Sequence, residues 1–319
     1  MKKAVSLLVA LGMVFALDQG CQASASAADK ADSVVVAPQP PKPTKNDKLL
    51  INHGPKVSKT PPPTTGIRPL LGTPYFYAGA AQDTSGIVSP AVTTVGANFS
   101  GPTGTYLDTT HDAHGLVELA VRLTPNSNAG LIEAGITQDP VVNADSQPRL
   151  FVAYWDGSGV CGCYNTNFNL YGARTYSPGD VITTTKSIQW IYDGSTNLWW
   201  LAVAGTFVGN FNESTLWPSI TFNHAGQVLG FGEVAQKASG TRTYSCTDMG
   251  NGLDSSVAGP PAAASIGSVS YNSSGTNVNM VALGAYYGYT TTMLSARTYR
   301  YGGAGSDSSG NLPGNTGSC

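Results

Sequence analysis

Between residue 70 and the C-terminus the chain has only four glutamates, and two of them stand where an ordinary surface carboxylate would not. Glu133 lies in Gly130-Leu131-Ile132-Glu133-Ala134-Gly135-Ile136, and Glu233 in Val228-Leu229-Gly230-Phe231-Gly232-Glu233-Val234. Paired carboxyls in apolar surroundings suit general acid and base hydrolysis. One ionised carboxylate takes a proton from water, while the other, still protonated, donates to the scissile carbonyl or the leaving group, best in acid. Alternation along a strand puts Leu131, Glu133 and Gly135 on one face, and Phe231 with Glu233 on one face of the second strand. Such faces predict the floor of a cleft, with the glycines leaving room for a substrate backbone.

Aromatic residues offer a lining for that cleft. Trp155 and Trp217 fall at expected strand ends, and with Tyr164 they are the candidate substrate-binding residues; Trp199 and Trp200 read as core. Rival chemistries have less support. His111 and His114, in Asp108-Thr109-Thr110-His111-Asp112-Ala113-His114, lack the Glu that follows the first His of a zinc-protease helix, and the segment reads as a solvated turn. No Gly-x-Ser-x-Gly elbow is present, and the four histidines have no recognisable serine partner. No metal or other cofactor is expected. Paired carboxyls would equally serve a glycosidase, and a lectin-like binding module would need neither glutamate.

The elements that must position these residues are strands. From Tyr75 onward short apolar stretches are punctuated by Gly, Asn, Ser, Thr and Pro, and helical periodicity is nearly absent. Leu116 to Leu123 reads as a half-buried strand, with Val117, Leu119, Val121 and Leu123 inward and Glu118 and Arg122 pointing the other way. Further strands are predicted over 130–136, 149–155, 187–193, 198–204, 227–236, 278–284 and 293–299. The fold class is all-β, an antiparallel sandwich of two packed sheets with few helices.

Residues 1–27 read as a secretory signal: Lys2 and Lys3, an apolar run from Ala4 to Leu17, then a small-residue stretch. Cys21 offers lipid anchoring as an alternative, but Asp18 stands where the lipoprotein signal wants an apolar residue. No later run is long enough to span a bilayer, so a secreted protein is expected rather than a periplasmic or lipid-anchored one. Residues 28–72, rich in Pro and Lys, are a pro-segment or linker, and 73–319 form one domain. That domain is mildly acidic: residues 70–319 carry eight basic and fifteen acidic groups, which argues against a nucleic-acid partner. A monomer is expected. Cys161, Cys163, Cys246 and Cys319 allow three disulfide connectivities; pairing Cys161 with Cys163 and Cys246 with Cys319 would tie the Gly/Ser-rich tail to the domain.

Several stretches resemble the neprosin family in collinear order: Tyr77-Ala78-Gly79-Ala80, Ile132-Glu133-Ala134-Gly135, Arg149-Leu150-Phe151 with Tyr154-Trp155, Gly162-Cys163-Tyr164-Asn165, Trp199-Trp200, Trp217-Pro218-Ser219, Gly232-Glu233-Val234 and Met249-Gly250-Asn251-Gly252. The resemblance implies a glutamic endopeptidase on a β-sandwich, with the matching glutamates, Glu133 and Glu233, as the catalytic pair and peptide or protein as substrate. It also implies cleavage beside proline, the habit of the best-known plant members.

Overall fold

The computed structural model describes residues 36–50, 75–100, 106–162, 164–237, 242, 244–259, 261–285 and 288–305. Along the chain run β1 (Lys48–Leu50), β2 (Tyr75–Asp83), β3 (Thr94–Phe99), β4 (Asp112–Arg122), β5 (Leu131–Gln138), α1 (Pro140–Asn143), β6 (Arg149–Trp155) and β7 (Phe168–Leu170). There follow β8 (Lys186–Asp193), β9 (Leu198–Val203), β10 (Thr206–Asn212), α2 (Glu213–Leu216), β11 (Gln227–Gln236), β12 (Ser265–Tyr271), β13 (Val281–Ala282), β14 (Thr290–Ser295) and β15 (Thr298–Gly302). They build two antiparallel sheets, nine strands in the order β1-β7-β10-β9-β8-β3-β12-β15-β14 and six in the order β13-β2-β11-β4-β5-β6.

One face of the six-stranded sheet packs on the nine-stranded sheet. Val117, Leu119 and Val121 of β4, Ile132, Ala134 and Ile136 of β5, and Val228 and Val234 of β11 join Val95, Trp190, Leu201 and Ile266 in one core. The glycines of β11 serve this contact. A side chain at Gly230 would run into the hydroxyl of Tyr299, and one at Gly232 into the ring of Tyr301 and Met249. They make room for tyrosines of the opposite sheet, not for a substrate backbone as the sequence predicted. Gly135 likewise lets β5 close onto β4, since a Cβ there would meet Val117 O and the backbone of Glu118.

The second face of the six-stranded sheet is also covered. Leu116, Phe151, Ala153 and Tyr164 form a separate apolar cluster, with Val142 of α1 packed against it. The half-buried reading of β4 is therefore corrected: Glu118 and Arg122 point away from the core but are wholly buried.

Other expectations shift locally. The single strand predicted over 293–299 is a hairpin of β14 and β15, and the one over 278–284 is reduced to β13. Part of the Pro/Lys-rich segment belongs to the sandwich. β1 pairs with the edge strand β7, and Ala37 packs on the Trp200 cluster of the outer face of the nine-stranded sheet. Cys161 and Cys246 are disulfide-bonded; the expected pairings involve Cys163 and Cys319, which lie outside the described residues, as does the signal segment.

Candidate functional site

The register of the six-stranded sheet sorts its second face into rows. Glu233 of β11 stands opposite Tyr77 of β2 and Leu116 of β4, and Leu116 faces Thr137 of β5. In the next row Phe231 faces Glu118, which faces Gly135. In the row after that, Leu229 faces Ala120 and Ala120 faces Glu133. Glu133 and Glu233 thus share a face, two strands apart and four residues offset, a separation of about 10 Å across and about 13 Å along a flat sheet. Glu118 stands at the midpoint of that diagonal. The two glutamates singled out from the sequence are brought to one surface, with a third carboxylate between them.

All three glutamates are fully buried. The cover includes Val142 of α1 and the turn carrying Tyr164, both packed on Leu116, Phe151 and Ala153. The Tyr164 ring lies edge-on to Phe151 at 5.2 Å and to His114 at 6.2 Å. Burial, with Asp139, Glu233 and Glu118 nearby, pushes the Tyr164 phenol well above its ordinary range, so it stays neutral.

Each end of the diagonal carries a cation. At the Glu133 end, Arg122 Nη1 donates to Gln227 Oε1 at 2.9 Å. Burial pulls the guanidinium down to about 10, against the opposing pull of Glu133, Tyr77 and Glu118, so it remains charged at neutral pH. Trp155 Nε1 donates to Glu133 Oε2 at 3.4 Å. At the Glu233 end, His114 Nε2 lies 2.8 Å from Glu233 Oε1, and His114 Nδ1 lies 3.5 Å from Asp139 Oδ2. Burial would lower the imidazole, but the contacts with the Asp139 and Glu233 carboxyls override it and raise it to about 9.

Of the aromatic candidates, Trp155 and Tyr164 lie on the carboxylate face. Trp217 does not. Its indole sits in the inter-sheet core, edge-on to Phe222 and Tyr154, and donates to the Trp155 carbonyl at 2.6 Å. Its place is therefore behind Trp155. Trp199 is core as expected, donating to the Phe222 carbonyl.

The sequence reading missed His114. It belongs to β4 rather than to a solvated turn and is 2% exposed. The signal was available: carrying the alternation of β4 back two residues from Leu116 puts His114 on the face of Glu118 and Arg122. His111 does sit in the turn, bonded to Asp108 at 2.7 Å and to Arg242 at 2.7 Å. Asp139 was not singled out either.

Solved structures with some similarity to this chain include a Scytalido-glutamic peptidase bound to a peptide-based transition-state analogue, 9% identical over 72% of this chain and 97% of that one, TM-score 0.39. They also include SCP-B, of the Eqolisin family of peptidases, 10% identical over 72% and 97%, TM-score 0.31. A Bacteroides ovatus GH16 enzyme for mixed-linkage glucan is 13% identical over 46% and 57%, TM-score 0.28. Likenesses this distant carry no functional argument. Comparison with curated protein sequences finds no match. The profile of the Neprosin family, by contrast, matches residues 114–308. That span begins at His114 and holds Glu118, Glu133, Asp139, Tyr164 and Glu233, and the chain belongs to the Neprosin family, as a peptidase of the glutamic type.

Proposed function

We propose that the chain is an exported endopeptidase in which Glu133 and Glu233 hydrolyse peptide bonds by general acid and base catalysis, without a metal. The observation that carries this reading is the shared face: the only two glutamates embedded in the family-like motifs lie on one enclosed surface, each beside its own cation. Glu233, held by His114 through one oxygen, is the base that takes the proton from the attacking water. Glu133, beside Trp155, is the acid that donates to the carbonyl oxygen or leaving amine. Four carboxyls, those of Glu118, Glu133, Glu233 and Asp139, share this face with two cations.

The position of Glu118 favours a second reading, in which it is one of the two working carboxyls. Substitution decides between them. Digestion of a denatured, proline-rich protein from pH 2 to 8, with products read by mass spectrometry, is expected to show cleavage by the wild type, strongest in acid and beside proline, and unchanged by a chelator. Glu133→Gln and Glu233→Gln are each expected to lose about 10²- to 10⁴-fold, while Glu118→Gln retains most of the activity. An inert Glu118→Gln beside an active Glu133→Gln or Glu233→Gln transfers the role to Glu118. Cleavage of sugar chains instead of peptides removes the peptidase reading. Export rests on Lys2, Lys3 and the apolar run after them; N-terminal sequencing of protein from the medium is expected to find a start at about residue 28.

A further inference from the structure

We propose that His114 and Asp139 act as a positioning pair for Glu233, holding its carboxylate in place and setting the acid limit of catalysis. The proposal rests on the reading of Glu233 as the base. Its ground is a one-directional chain of contacts through buried groups. Asp139 Oδ1 accepts from Val141 N and Val142 N, each at 3.0 Å, which fixes the carboxylate on the first turn of α1. Its other oxygen, Oδ2, faces His114 Nδ1 at 3.5 Å. The far side of the ring meets Glu233 Oε1 at 2.8 Å. Glu233 Oε2 is buried and has no hydrogen-bond partner among the described residues. One oxygen of the base is therefore held, and the other is left for water.

Several titratable groups face the ring. From β11 it faces Glu233, from the end of β5 Asp139, and from the covering turn Tyr164. On β4 itself the nearest titratable neighbours are Asp112 and Glu118, and Tyr77 of β2 lies beyond Glu233. Asp112 is occupied elsewhere, its Oδ2 accepting from the hydroxyls of Ser245 and Thr247, each at 2.6 Å. Tyr164 stays neutral. Through acid and neutral pH the ring is an imidazolium. Replacing the ring by a neutral group removes that charge from beside Glu233 Oε1.

The test compares full-length wild type, His114→Gln, Asp139→Asn and Glu233→Gln, measuring kcat and KM against pH on a quenched-fluorescence peptide containing proline. Gln keeps an N–H for Glu233 and removes the charge. The acid limb of kcat/KM is expected to move up by about 1–2 pH units in His114→Gln, with kcat at weakly acid pH down about 10- to 100-fold and KM nearly unchanged. Asp139→Asn is expected to move the limb the same way by a smaller amount. Because Asp139 does not touch Glu233, it carries the test if His114→Gln fails to fold. An unmoved limb in a folded variant, or a change in KM alone, overturns the proposal and leaves His114 a packing residue. Glu233→Gln separates the two ideas: an active variant removes the base assignment itself, whereas an inert one beside an unmoved limb removes only the pair. A proton NMR titration of His114 in the wild type is expected to show a midpoint near 9; one at or below the ordinary value of about 6.5 overturns the proposal without recourse to activity.

Discussion

Glu133 accepts a hydrogen bond from the Trp155 indole and lies near the Arg122 guanidinium, while Glu233 meets the His114 ring. The Trp155 contact is long at 3.4 Å, so Trp155→Phe, which keeps the packing and removes the donor, is expected to lower kcat by only about threefold to tenfold. Steady-state kinetics with unchanged KM would bear this out; a loss as large as that of Glu133→Gln would make the indole part of the reacting set. His114 also links stability to pH. Its folded value of about 9 exceeds the ordinary value of 6.5, so its contribution is fully present below about 6.5 and is lost as pH rises through about 9. Urea unfolding is therefore expected to show wild type losing roughly 1–3 kcal/mol between pH 6 and pH 10. His114→Gln should lack that part of the slope, and parallel profiles would count against the ion pairing.

At the scale of elements, the site depends on β4 lying between β5 and β11. It supplies His114, Glu118 and Arg122 to one face while Val117, Leu119 and Val121 fill the core. Close strand approach is part of this, and it depends on Gly135, where a Cβ would collide with backbone of β4. Gly135→Ala is expected to cost more than about 3 kcal/mol, because backbone cannot shift as a side chain can. Gly86→Ala, in a turn with nothing within 4 Å of the added carbon, is expected to change stability by less than about 0.5 kcal/mol. Thermal melts of the two variants test the contrast, and similar melting temperatures would show that β5 can move away from β4. Alternation identified β4, β5, β6 and β11 in the sequence because each keeps one strictly apolar face. It misjudged the opposite face of β4, since a charged residue facing solvent and one facing a buried polar cluster leave the same pattern.

For the whole molecule, the boundary between leading segment and domain falls inside the fold. Lys48–Leu50 extends the nine-stranded sheet through β7, and Asp47 Oδ1 accepts from Gly172 N at 3.0 Å. The partly buried Leu50 packs against the main core. A chain beginning after residue 50 is expected to fold, because the inter-sheet core lies elsewhere, but to melt a few degrees lower, from a loss of roughly 1–2 kcal/mol. Calorimetry checks this. An unchanged melting temperature would mean that β1 adds no stability, and failure to fold would make residues 36–50 part of the folding unit.

The sequence by itself determined the strand-rich class, the position of the best-patterned strands and the two glutamates in glycine-flanked apolar runs, because period-two alternation and local motifs are properties of contiguous residues. What it left open is set by contacts far apart in the chain. That Glu118 stands between Glu133 and Glu233, that Asp139 reaches His114, and that His114 reaches a carboxylate 119 residues away follow from the register of β11 on β4 and of β4 on β5. Strand pattern tells which residues share a face; only the packed sheets decide which of them become neighbours, since register is chosen by the fit of the two sheets and not by any one strand.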